Sequence, residues 1–149
     1  MDQDRIEKIV ELDAPVARVW RALTDHEEFG QWFRVRLDGP FEVGKRTTGR
    51  VTYPGHEAME WISVTERLEP ERLFVFSWPP SAVDPEGDYD AAAKVLVEFR
   101  LEPTTTGTRL TIVESGFLQF PESKRLEILR SNREGWALQA DNIAAHVAR

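Results

Sequence analysis

Cysteine is absent from all 149 residues, which excludes disulfides, thiolate metal sites and cysteine nucleophiles together. Histidine is scarce: His26, His56 and His146 share no metal-ligand spacing, and no His-Glu-x-x-His pattern occurs. Neither a metal site nor a Ser-His-Asp triad is supported, and no cofactor is expected. Positive charge is in deficit, with 19 Lys and Arg against 26 Asp and Glu, a formal charge of −7. Such a surface repels phosphate backbones. Lys45-Arg46 and Lys124-Arg125 are pairs rather than patches, so nucleic acid is not an expected partner. No run approaches the ~18 apolar residues of a membrane helix, and Met1 to Arg5 lacks the apolar core of a signal peptide. The glycines form no phosphate-cradling loop, and no internal repeat, low-complexity tract or linker is found. These absences predict one soluble, cytoplasmic domain over residues 1–149, without a membrane partner.

What is present is a pattern of short elements. Arg5 to Leu12 reads as a first strand. Pro15 suits a helix start, because its missing N–H would be unpaired there and its φ is already near helical; Asp13 is a candidate cap. Val16, Val19, Trp20 and Leu23 then fall at offsets 0, 3, 4 and 7, one apolar stripe on a short helix. A second short helix is predicted around Glu27 to Trp32.

Strands follow: Val35 to Phe41, Thr47 to Tyr53, and Trp61 to Leu68, where Ile62 and Val64 oppose Ser63 and Thr65. Leu73 to Trp78 is aromatic and β-branched and stops at Pro79-Pro80. Ser81 to Asp90, rich in Pro, Gly and Asp, reads as a long exposed loop. Lys94 to Leu101 alternates cleanly, with Val95, Val97, Phe99 and Leu101 on one face. A Thr-Thr-Thr-Gly turn returns the chain through Arg109 to Glu114 as an antiparallel hairpin. Beyond Phe120-Pro121 the period becomes helical. Leu126, Leu129, Trp136, Ala140, Ile143 and Val147 stripe about 28 residues, ~40 Å of helix at 1.5 Å per residue, and Gly135 is a candidate bend within it.

This order, strand, two short helices, about six antiparallel strands and one long C-terminal helix, predicts an α+β fold. A twisted sheet curls, and the striped helix has its obvious seat in the concave side, with the short helices closing one end. Several segments resemble the helix-grip superfamily of START domains, polyketide cyclases and the birch-pollen allergen. More narrowly they resemble homologues of the activator of the heat-shock-protein-90 ATPase. The residues concerned are Pro15 to Thr24, Trp32-Phe33, Leu68 to Leu73 running into Phe76-Ser77-Trp78, Gly107 to Ile112 into Glu114 to Phe117, and Gly135-Trp136. The resemblance implies a helix-grip fold over nearly the whole chain. It also implies a cavity between sheet and last helix for a small apolar or aromatic molecule, and a contact with a chaperone. A homodimer contact is a further expectation.

A ligand pocket occupies ~300–1,000 Å³, and a dry empty one of that size would cost stability on the scale of the whole domain. The space is therefore wet, occupied, or filled by the eight Phe and five Trp. Expected lining residues are Trp20 and Trp32 from the short helices, and Phe76, Trp78, Val97, Phe99 and Ile112 from the strands. Leu129, Arg133, Trp136 and Ala140 join them from the last helix. Glu114 continues the Leu110 and Ile112 alternation, so it is expected inward with its pKa raised; the alternative is a strand-end Glu facing solvent or paired with an Arg. Arg133 sits in the gap of the stripe, reaching inward to hold an anion or snorkelling from its edge, with Glu60 as a candidate inward partner. Tyr53 is a candidate for the pocket mouth, in a Tyr53-Pro54-Gly55-His56 hairpin tip. The expected function is binding of a small, largely apolar molecule. The alternatives are a polyketide cyclase-like or aromatase-like enzyme using Glu114 as acid or base, and a chaperone-interacting protein.

Overall fold

In the computed structural model, residues 3–80 and 93–148 are described; the expected loop over Ser81 to Asp90 lies outside them. The elements run β1 (Arg5–Leu12), α1 (Val16–Thr24), α2 (His26–Phe33), β2 (Val35–Leu37), β3 (Arg46–Val51), β4 (Glu60–Glu69), β5 (Leu73–Trp78), β6 (Val95–Pro103), β7 (Thr108–Ser115) and α3 (Glu122–Val147). A 3-10 turn at Phe117–Gln119 leads into α3. The strands make one antiparallel sheet in the order β1-β7-β6-β5-β4-β3-β2. β2 to β7 form a meander, and β1 closes on β7, so α1 and α2 carry the chain from one sheet edge to the other. The sheet curves around α3, giving the expected α+β helix-grip arrangement.

The core lies between the concave face and α3. Val95, Val97, Phe99 and Leu101 of β6 are buried, as are Leu110 and Ile112 of β7 and Leu129, Trp136, Ala140, Ile143 and Val147 of α3. On α1, Val19 and Leu23 are fully buried while Val16 and Trp20 pack half-buried against the core.

Four local expectations are corrected. Pro15 is the N-cap of α1 with extended backbone, and no side chain caps that end; Asp13 lies too far upstream, whereas Asp25 caps α2 by accepting from the backbone N–H of Glu27 and Glu28. The strand expected from Val35 to Phe41 ends at Leu37, because Gly39-Pro40 follows and proline offers no N–H to a ladder. Leu126 is 47% exposed, since α3 meets the core only from Ile128 onward.

The fourth concerns β4, whose buried residues are Trp61, Ser63 and Thr65, with Ile62 and Val64 half-buried on the other face. A register shift between Thr65 and Arg67 is the reason. A bulge adds one unpaired residue and reverses the facing phase. Leu68 therefore packs on the core although Ile62 and Val64, of the same parity, do not.

Two glycines give opposite expectations. A Cβ on Gly107, in the β6–β7 turn, would lie 2.0 Å from the Leu12 carbonyl oxygen, so Gly107→Ala is expected to cost about 2 kcal/mol or more in denaturant unfolding. A Cβ on Gly135 in α3 would meet nothing within 4 Å. Gly135→Ala is expected to stabilise by up to about 1 kcal/mol through helix propensity; a loss there would mean that α3 needs its glycine.

Candidate functional site

β7 is paired on both sides, and Glu114 stands on its concave face between Ile6 of β1 and Val97 of β6. Its side chain is 0% exposed. The alternation through Leu110 and Ile112 drives it inward, as expected. There the carboxylate receives N–H donors from two other elements. Trp78, the last residue of β5, donates its indole N–H to Oε2 at 2.7 Å, and Trp136 of α3 donates its own to Oε1 at 2.9 Å. Asn132, one helical turn before Trp136, donates its amide to both oxygens at 3.0 and 3.1 Å.

An indole is a donor only, so both indole bonds suit an acceptor and hold the carboxylate in its ionised geometry. Burial works against this. It pushes the Glu114 carboxyl above the ordinary carboxylate range, and the bonds from Trp136, Trp78 and Asn132 pull it down without cancelling the rise. Among the described residues no cation forms an ion pair with it.

Aromatic rings pack around this network. Trp78 lies 5.9 Å from Trp136 and 5.2 Å from Trp61 between ring centroids. Phe33, at the end of α2, is 5.2 Å from Trp61 and 6.2 Å from both Trp78 and Trp136. Phe76 and Phe99 continue the cluster into the core. Trp61 and Trp136 are buried, whereas Phe33 and Trp78 are half-buried, so the cluster meets the surface on their side.

The structure thus brings Phe76, Trp78, Phe99, Glu114 and Trp136 together, with Val97 paired to Glu114 across the sheet. Ile112, Leu129 and Ala140 are buried core positions nearby. Trp32 serves the helical end, its N–H bonded to the Ala22 carbonyl at 2.8 Å and its ring edge-on to Phe29; Trp20 is half-buried on α1.

Two inward placements fail, those of Arg133 and Glu60. Arg133 is exposed; it and Asn132 flank the stripe on opposite sides, and α3 turns the Asn132 side toward Glu114. A neutral amide satisfies the carboxylate there without burying a guanidinium. Glu60 is exposed on the outer face of β4, 3.9 Å from Arg50, because the β4 phase is reversed. Tyr53 is 39% exposed in the β3–β4 turn with Arg34 over its ring. Sequence reasoning missed Asn132, Trp61 and Phe33 as site residues. Their available signals were a polar side chain one turn before a stripe tryptophan, a tryptophan opening a strand, and the second member of the Trp32-Phe33 pair.

A second acidic centre lies at the helical end. Glu28 of α2 accepts from Arg18 at 2.8 Å and Arg21 at 2.7 Å, both on α1, and contacts His146 Nε2 of α3 at 2.9 Å. Burial alone would raise its carboxyl; the bonds from His146, Arg18 and Arg21 and the charge of Arg18 outweigh that and hold it below the ordinary range. This centre ties the three helices together. Among the described residues no cluster suited to a metal ion occurs, and no helix is long and apolar enough to cross a membrane.

The raised Glu114 carboxyl has a signature in stability. The unfolded chain loses this proton at lower pH than the folded chain, so the folded state is progressively penalised as pH rises above about 4 to 5. The penalty levels off once the folded group has ionised. Glu114→Gln removes it while leaving Glu28, whose shift has the opposite sign, in both proteins. Denaturant unfolding between about pH 4 and about pH 8 is expected to show the stability difference moving in favour of the variant as pH rises. A difference independent of pH would contradict the raised carboxyl.

Solved structures share the architecture. A Mesorhizobium loti protein superposes with a TM-score of 0.76 at 23% identity, covering 97% of each chain. A solution structure from Arthrobacter aurescens gives 0.81 at 20% identity, covering 99% of this chain and 89% of that one. DynU16, a putative protein in the dynemicin biosynthetic locus, gives 0.74 at 24% identity, covering 97% of this chain and 47% of that one. These likenesses show the fold. No curated protein matches the sequence. The profile of one family, the activator of Hsp90 ATPase homolog 1-like proteins, matches residues 13–148, and it is to this family that the chain belongs.

Proposed function

We propose that the protein binds a small, largely apolar molecule between the sheet and α3, at the aromatic cluster around Glu114. The observation that carries this reading is the buried carboxylate whose partners among the described residues are all neutral. A buried carboxyl without a countercharge is costly to a folded core, and an aliphatic side chain would fill the same position without that cost. A shifted ionisable group inside an aromatic cluster that reaches the surface is the pattern of a ligand site. The family has a fold suited to holding ligands, which agrees with it. In the free protein the rings close on one another. Trp78 ends its strand half-buried, and its displacement opens the way to Glu114.

The indole signals of a two-dimensional NMR titration test this directly. With a panel of apolar aromatic compounds, the N–H signals of Trp78 and Trp136 are expected to shift, because their acceptor is at the site. Those of Trp20 and Trp32 stay in place. Shifts confined to Trp20 and Trp32, or no shifts with any compound, would overturn the reading.

The raised Glu114 carboxyl favours a second reading, proton transfer to or from a bound polyketide-like aromatic. A fold relative in the dynemicin biosynthetic locus supports it. Glu114→Gln is then expected to lower turnover of such a compound by about 10²-fold or more while binding persists. Unchanged turnover would end the role of Glu114 as acid or base.

A further inference from the structure

We propose that the molecule held at this site is an organic ammonium, a cation carried on an apolar or aromatic skeleton. The inference rests on the reading of the Glu114 cluster as a ligand site and names the chemistry that site selects.

Three observations converge on a cation. The first is the missing countercharge. Glu114 is completely buried, and its partners Trp78, Trp136 and Asn132 are all neutral donors. The inward-phase cation of β1, Lys8, stands across from Ile112 while Glu114 stands across from Ile6, and no ion pair joins Lys8 to Glu114. Opposite charges attract far more strongly in such an environment than in water, so a bound ammonium favours the ionised carboxyl and completes the pair, whereas a carboxylate or phosphate would oppose that ionisation.

The second observation is the wall. Phe33, Trp61, Trp78 and Trp136 surround the approach to the carboxylate, with neighbouring ring centroids 5.2 to 6.2 Å apart. The faces of such rings are negative and attract a cation held within about 6 Å of the centroid, tryptophan most strongly. The third is the field of the whole chain. A formal charge of −7 raises the local concentration of cations and lowers that of anions.

The geometry also points to the place the ammonium takes. Asn132 and Trp136 share one face of α3 and keep Oε1 occupied. Trp78 holds Oε2 from a strand end, half-buried. Rotation of Trp78 frees one acceptor position on Oε2, which Asn132 also contacts, for an ammonium N–H and leaves the ring face beside the cation, so the buried carboxylate never loses all its partners.

Four probes at pH 7 decide it: phenylbutylammonium, its trimethylated form, phenylbutanol and phenylbutanoate, which share one skeleton and differ in charge. Affinities are read from the Trp78 and Trp136 indole signals. At least one cation is expected to bind about 10-fold or more tightly than the alcohol, and the carboxylate more weakly than the alcohol. In Glu114→Gln the cation preference is expected to fall to within about 2-fold, with binding of the alcohol retained. Glu127→Gln, which removes an exposed carboxylate of α3, controls for net charge and keeps the preference. If Glu114→Gln does not fold, the wild-type comparison alone decides. Equal or tighter binding of the alcohol or the carboxylate at the same signals would overturn the cationic class and leave the ligand site standing. No response of those signals to any of the four probes would overturn both.

Discussion

Glu114 presents two oxygens to N–H groups that arrive from β5 and from α3, and the placement of α3 depends on that meeting. Apolar packing is non-directional, and a helix striped with Leu129, Trp136, Ile143 and Val147 has several rotations and registers that bury it almost equally well. A carboxylate buried in the sheet removes that freedom. Any slide of α3 that withdraws Asn132 and Trp136 leaves a buried carboxyl with too few partners, which is costly. The directional bonds select the arrangement, and the apolar stripe supplies most of its free energy.

The helical end is fixed by the complementary device. Glu28 has charged partners where Glu114 has neutral ones, and their carboxyls shift in opposite directions. Glu28 joins α1 and α2 to the last turns of α3 through Arg18, Arg21 and His146, in a half-buried setting that solvent partly screens. One acidic centre is thus satisfied within the fold. The other is hydrogen-bonded but electrically open. That asymmetry is why the candidate site lies at Glu114 and not at Glu28.

The same carboxylate serves structure and proposed function at once, which sets a trade-off. A more stable core would replace it with an aliphatic residue, and such a core would lose the buried carboxylate facing the aromatic cluster. Proteins commonly keep destabilising groups where binding or chemistry needs them. The closed packing of Phe33, Trp61, Trp78 and Trp136 has a related logic. It keeps water from an otherwise exposed apolar cluster, and a half-buried ring at a strand end is the element least costly to move.

Much of this was legible in the residues. The clean alternation of β6 and β7 placed Val97, Phe99, Ile112 and Glu114 on the concave face, because a strand without a bulge has only one phase. The switch to helical periodicity after Pro121 marked α3 and its stripe, and the element order with its helix-grip resemblance named the architecture. The inward placement of Glu60 fails because the bulge after Thr65 changes phase between two apolar stretches, and nothing in the local pattern marks where pairing slips. Asn132 and Arg133 flank the stripe symmetrically, so periodicity had no means of choosing between them. The amino-acid sequence by itself determined which elements form and that Glu114 faces inward, since both follow from local sterics and the period of the apolar residues. Only the tertiary structure decided that Trp78, Asn132 and Trp136 meet on that carboxylate. Those contacts join elements 18 to 36 residues apart, and the sheet's curvature and the seating of α3, not any short-range pattern, bring them within hydrogen-bond distance.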